Sequence, residues 1–228
     1  MTRPTNARVA GFAFLVYIAV ALPAVILETR ITKGEGIAEK LANIAQHATQ
    51  MRLAFVLALV GCVCALVLAV TLYAITRDQD PDLAMLGLTF RVAEGVIGAV
   101  SIPSLLNQAW LATAAGADAP DPAAVNALGA LMLKVPQTSG NLAAIFFAIG
   151  STLFAWLLLR GRMIPVSLAW LGVFASVLIV VCLPLQLVGV LDSPLTELMW
   201  MPMLAFELVL AVWLIVKGAS APPRRQAA

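Results

Sequence analysis

The chain reads as an all-α protein, a polytopic transmembrane bundle of six helices with two external amphipathic helices, forming a single integral-membrane domain over residues 1–228. Three observations predict this. Composition is 62% hydrophobic and 11% charged, whereas soluble domains carry about 25% charged residues. A chain this apolar cannot cover a water-facing surface, so lipid is its solvent. Six apolar stretches approach or exceed the roughly 20 residues a spanning helix needs. Lysine and arginine fall unevenly between the segments that separate them.

The six stretches run roughly over 9–27, 52–76, 83–113, 138–159, 164–190 and 195–216. The first follows Arg3 and Arg8, as a secretory signal would, but its apolar run exceeds the roughly 7–15 residues of such a core. It is therefore read as an uncleaved helix. Trp110, Trp156, Trp170, Trp200 and Trp213 fall toward segment ends, where an aromatic belt lies. Between the first two spans, Ile37, Leu41, Ile44, Ala45, Ala48 and Met51 recur at helical spacing. Glu39, Lys40, Asn43, Gln46, His47 and Gln50 take the opposite face, which predicts an amphipathic helix on the membrane or on the bundle mouth. A second follows Asp121 and Pro122, a cap and a first-turn residue, with Val125, Leu128, Leu131, Met132 and Val135 on one face.

Arg3, Arg8, Arg77, Arg160, Arg162, Lys217, Arg224 and Arg225 fall on one side, and Arg30, Lys33, Lys40, Arg52 and Lys134 on the other. Eight against five places both termini in the cytoplasm under the positive-inside rule.

The third span carries a face of unusual polarity. Arg91, Glu94, Gly98, Ser101, Leu105 and Gln108 are spaced three, four, three, four, three, with Ser104 and Asn107 beside them. Leu88, Val92, Val96, Val100 and Leu106 occupy the other faces, so the stripe is expected to face the bundle interior. At 1.5 Å per residue, Arg91 lies roughly 10 Å and Glu94 roughly 15 Å from the cytoplasmic end. Glu207, in the antiparallel sixth span, is also roughly 15 Å deep. These three can share a layer. One arginine cannot pair with two carboxylates: either one carboxyl is protonated or the site takes another cation or donor.

Pro23, Pro103, Pro184 and Pro202 fall in the outer halves of their spans, as do Asn107, Gln108, Asn141 and Gln186. Kinks plus polar groups predict a pocket opening outward, floored by the charged layer. Arg91, Glu94 and Glu207 are the catalytic candidates, and Ser101, Gln108, Asn141 and Gln186 the ligand-binding ones. The leading reading is a small apolar or lipid-like ligand, bound or handled by acid–base chemistry. A proton- or cation-coupled transporter, and a structural cluster that only ties the third and sixth spans together, stand beside it.

Other chemistries lack their residues. His47, the one histidine, lies outside the spans, which excludes bis-histidine haem and a serine–histidine pair within the membrane. No lysine is mid-span for a Schiff base, and no phosphate-binding glycine motif occurs. Cys62 and Cys64 point about 200° apart on a helix, and with Cys182 read as packing residues. No metal, cofactor or nucleic-acid partner is expected, the net charge being only +2. The expected partner is the lipid bilayer, and nothing in the sequence specifies an oligomer.

The run Leu157–Leu158–Leu159–Arg160–Gly161–Arg162–Met163–Ile164–Pro165, then Leu168–Ala169–Trp170–Leu171–Gly172, resembles a family of bacterial six-helix membrane proteins. The family is known only as domain of unknown function four-three-eight-six. Its short loop similarly joins a leucine-rich helix end, basic and small residues, Ile-Pro and Trp-Gly. The Arg91-x-x-Glu94 pair also resembles its pattern, and the likeness extends from Arg8 to Lys217. It implies the six-helix fold and the bacterial cytoplasmic membrane, and carries no activity. Some relatives have a histidine in the fourth helix where this chain has Gly140–Asn141, so histidine chemistry does not transfer.

Overall fold

Each apolar run has become a helix, because a chain in hydrocarbon must satisfy its backbone N–H and C=O groups within the segment. The computed structural model describes residues 2–114, 121–191 and 198–220, and the regular structure among them is helical throughout. In chain order the helices are α1 (Arg3–Ile31), α2 (Ile37–Gln46), α3 (Ala48–Thr76), α4 (Pro81–Ser101), α5 (Pro103–Thr113), α6 (Pro122–Arg160), α7 (Val166–Leu187) and α8 (Trp200–Val216).

Five helical stretches are long and apolar enough to cross a membrane: α1, α3, α4 with α5, α6, and α7. The sixth stretch, α8, has 17 residues, about 26 Å of helix against a hydrocarbon core of about 30 Å. Residues 195–197, the expected start of that span, lie outside the described residues. Large apolar side chains such as Phe12, Val63, Val70, Phe174 and Val181 are exposed along the spans, as lipid-facing positions must be.

Two boundaries differ from the sequence reading. The third span is broken at Ile102, between α4 and α5. Pro103 has no N–H to continue the ladder and starts α5 instead. Ser101 donates its hydroxyl to the Gly98 carbonyl and Ser104 to the Ser101 carbonyl, so the stripe serines bond the backbone around the break. The second amphipathic segment is present, but runs into the following span without interruption. Pro136 and Gln137, which the sequence reading left between the amphipathic segment and the span starting at 138, lie within α6.

The chain divides into two compact units. One comprises Met1–Val16, Cys64–Gly95 and Ala143–Ala228. In it α7 packs on α8. A Cβ on Gly172 would lie 2.5 Å from the Phe206 ring, and one on Gly11 of α1 would lie 2.7 Å from the Ala211 carbonyl of α8. Ion pairs Arg3–Asp78 (2.8 Å) and Arg160–Asp80 (3.2 Å) gather the chain start, the α3–α4 turn and the end of α6. The Ser220 N–H donates to the Met163 carbonyl at 3.0 Å.

The other unit comprises Tyr17–Val63 and Val96–Leu142. Its core is Ile31, Leu41, Ile44, Met51, Leu105, Ala109 and Leu111, with Leu27, Phe55, Val125 and Met132 against it. The apolar face of α2 is thus turned to protein, chiefly α5, rather than laid on lipid. Gly129 of α6 admits it: a Cβ there would stand 2.9 Å from Leu41. The polar face is tied by the Glu39 carboxylate accepting from the Glu35 N–H and by Asn43 donating to the Lys33 carbonyl. His47 Nδ1 is 2.9 Å from the Asn43 carbonyl oxygen.

Candidate functional site

The buried face of α4 is Ala84, Gly87, Arg91, Glu94 and Gly95. The spacing of three and four keeps these residues on one side of a helix. Two are glycine and one alanine, so α4 approaches α6 closely. A Cβ on Gly87 would sit 3.2 Å from the Phe154 ring of α6. A Cβ on Gly150 of α6 would sit 2.8 Å from Arg91 Cγ and 3.0 Å from its Cδ. Gly150 therefore makes the room in which the arginine stem lies.

Arg91 is 1% exposed. Its guanidinium stacks over the Phe147 ring, 4.6 Å from the centroid, where the ring face attracts a cation. Phe147 in turn meets Trp200, the first residue of α8, at 6.2 Å between ring centres. Nη1 of Arg91 lies 2.8 Å from Oε2 of Glu94, one turn along the same helix. The approach is not along an N–H direction. Nε, Nη1 and Nη2 of Arg91, and Oε2 of Glu94, are all buried without a hydrogen-bond partner among the described residues. Charge attraction holds the pair; its hydrogen-bonding capacity stays unspent.

Glu207 projects from the buried face of α8, among Met203, Phe206, Leu210 and Leu214. It is 7% exposed, as is Glu94, and lies within electrostatic reach of both Arg91 and Glu94. Three ionisable groups from α4 and α8 thus share one buried cluster, with α6 supplying the ring and the glycine. The close carboxylate on Arg91 is nevertheless Glu94, because the i,i+3 spacing makes it a built-in neighbour.

The ligand-binding candidates are distributed between the units. Gln186, near the end of α7, belongs with the charged cluster's unit and is half-buried. Ser101, Gln108 and Asn141 belong to the other unit. Gln108 is buried; its Nε2 donates to the Met132 carbonyl of α6 at 2.9 Å, while its Oε1 has no hydrogen-bond partner among the described residues. Asn141 is half-buried on α6. Sequence reasoning missed Gly87, Gly150 and Phe147. The available signal was the run Phe147, Gly150, Phe154, which puts a gap between two rings on one helical face.

The model of the family described as domain of unknown function DUF4386 matches residues 9–218. The chain belongs to that family. The match takes in the whole charged cluster and all eight helices except the first residues of α1, so the cluster lies within the DUF4386 domain itself. Comparisons with curated proteins and with solved structures gave no match.

Proposed function

We propose that this DUF4386 protein binds a small apolar or lipid-like ligand at the Arg91–Glu94–Glu207 cluster and can act on it by acid–base chemistry. The observation that carries the reading is a fully buried guanidinium that makes no well-directed hydrogen bond among the described residues and meets Glu94 only as an ion pair, beside two buried carboxyls. Leaving a buried polar group unpaired costs roughly 1–3 kcal/mol, more when it is charged. Apolar residues of similar volume hold helices together at no such cost. The Arg91–Glu94 pair lies within α4, so it does not itself cross-link helices. Its chemical surplus suits a ligand oxygen: Arg91 donates to a carbonyl or hydroxyl of the ligand, Glu94 fixes the guanidinium, and Glu207 gives or takes the proton. An apolar ligand suits the apolar neighbours these groups have: Phe147 against Arg91, and Met203, Phe206 and Leu210 on the buried residues of α8 that include Glu207.

In this reading the protein sits in the bacterial cytoplasmic membrane, crosses it six times and keeps both termini inside. The test is to purify it in mild detergent and to identify co-purifying small molecules by mass spectrometry. A specific molecule should accompany the wild-type protein and be lost from Arg91→Lys and Glu207→Gln while both variants remain folded. Identical contents in all three proteins would reject the site. Proton or cation flux in liposomes that stops in Glu207→Gln would replace ligand handling by transport.

A further inference from the structure

Helix α6 contains a built-in discontinuity. Pro136 lies inside it, and proline has no N–H to donate to the carbonyl four residues before. The carbonyl that loses its helical donor is that of Met132. This same oxygen accepts a hydrogen bond from Nε2 of Gln108, on α5, at 2.9 Å. A side-chain amide thus stands in for the missing backbone amide. Backbone groups freed by proline in membrane helices need such help from a neighbour, and here the donor is one identifiable side chain.

The surroundings of Gln108 are otherwise apolar. It is 1% exposed and shares the buried face of α5 with Leu105, Ala109 and Leu111. Its Oε1 has no hydrogen-bond partner among the described residues, which makes the amide costly to bury. A methionine would fill the volume without that cost. What the amide supplies, and methionine does not, is the N–H at the Met132 carbonyl.

The bond also fastens the amphipathic part of α6, Pro122–Val135, to its unit. The grip of that part is otherwise narrow. Val125, Met132 and Leu133 are only partly buried against the core. Gly129 comes close to Leu41 but brings no side chain of its own. Leu128, Leu131 and Val135 are exposed.

We infer that Pro136 is a hinge in α6 and that Gln108 is its latch, holding Pro122–Val135 shut as a lid over Leu41 and the buried face of α5. When the latch is released, the Met132 carbonyl takes a water or another donor, α6 bends at Pro136, and the lid lifts. Lid, latch and hinge all belong to the unit of Tyr17–Val63 and Val96–Leu142, and the device is independent of the Arg91 cluster.

The experiment is hydrogen–deuterium exchange of the full chain in detergent, read by mass spectrometry. Gln108→Met keeps the volume and removes the donor. Lid amides over 126–135 should then exchange about tenfold faster, the size expected for one hydrogen bond lost from a buried carbonyl, while those over 143–158 keep their rate. Adding Pro136→Ala restores a backbone N–H to the Met132 carbonyl, and should bring the lid of the double variant back to the wild-type rate. Pro136→Ala alone should slow lid exchange below wild type, which tests the hinge whether or not Gln108→Met folds. Undiminished acceleration in the double variant would make Gln108 a packing residue and overturn the latch. Unchanged lid exchange in either single variant would overturn the proposal as a whole.

Discussion

At the scale of residues, Glu94 and Glu207 differ in what they hold. Glu94 is the carboxylate 2.8 Å from the Arg91 guanidinium; Glu207 stands further off on another helix. Glu94→Gln leaves a buried cation without its close counter-charge and should cost roughly 3 kcal/mol, at the lower end for a broken buried pair because Glu207 still offsets part of the charge. Glu207→Gln should cost less than half of that, and unfolding in detergent orders the two; equal losses would refute the assigned pairing. Gly150→Ala brings a methyl to 2.8 Å from Arg91 Cγ, an overpacking worth roughly 1–3 kcal/mol. In an Arg91→Ala background that cost should fall, since the closest group it strikes is gone, leaving only the Gly87 carbonyl at 3.2 Å. Arg91 and Glu94 were legible in the sequence because a charge inside an apolar run stands out against lipid. Gly150 was not, because glycine is frequent in membrane helices and its meaning depends on which helix packs opposite.

At the scale of elements, run length and hydropathy were legible, and continuity was not. Pro136 and Gln137 separate the amphipathic segment from the span in the sequence, yet α6 carries straight through them. Helical hydrogen bonds satisfy the backbone on either side of the proline, and Val125 and Met132 have apolar partners in the α2–α5 core. The same core explains α2. Its amphipathic pattern was evident, but one apolar face serves lipid or protein equally well, so the sequence could not choose between them. Burial of Leu41 and Ile44 makes α2 a packed cap on its unit. Leu41→Ala should therefore cost roughly 2–5 kcal/mol locally and release α2. Limited proteolysis in the 32–36 linker should accelerate severalfold, while a substitution on the polar face such as Lys40→Ala should leave the rate unchanged. Equal protection of both variants would mean that membrane contact, not the core, holds α2.

At the scale of the whole molecule, the unit that holds the charged cluster also fixes the relation between the chain's ends. Arg3 pairs with Asp78 and reaches the Ser220 carbonyl at 3.5 Å, while the Ser220 N–H donates to the Met163 carbonyl. The start of α1, the α3–α4 turn, the α6–α7 turn and the segment after α8 therefore share one end. α7 leaves that end at Val166 and α8 returns to it at Lys217, which is the observation that favours the proposed sixth crossing by the 17-residue α8. The proposed topology has an even number of crossings, with this arginine- and lysine-rich end on the cytoplasmic side under the positive-inside rule. Single cysteines introduced at Lys33 and Gly161, in a background without Cys62, Cys64 and Cys182, test both statements in intact cells. An impermeant thiol reagent should label position 33 and spare position 161 until the membrane is opened. A cysteine at Lys217 should behave like position 161. Labelling of 217 together with 33 would mean that α8 does not return the chain, and labelling of 161 from outside would invert the orientation.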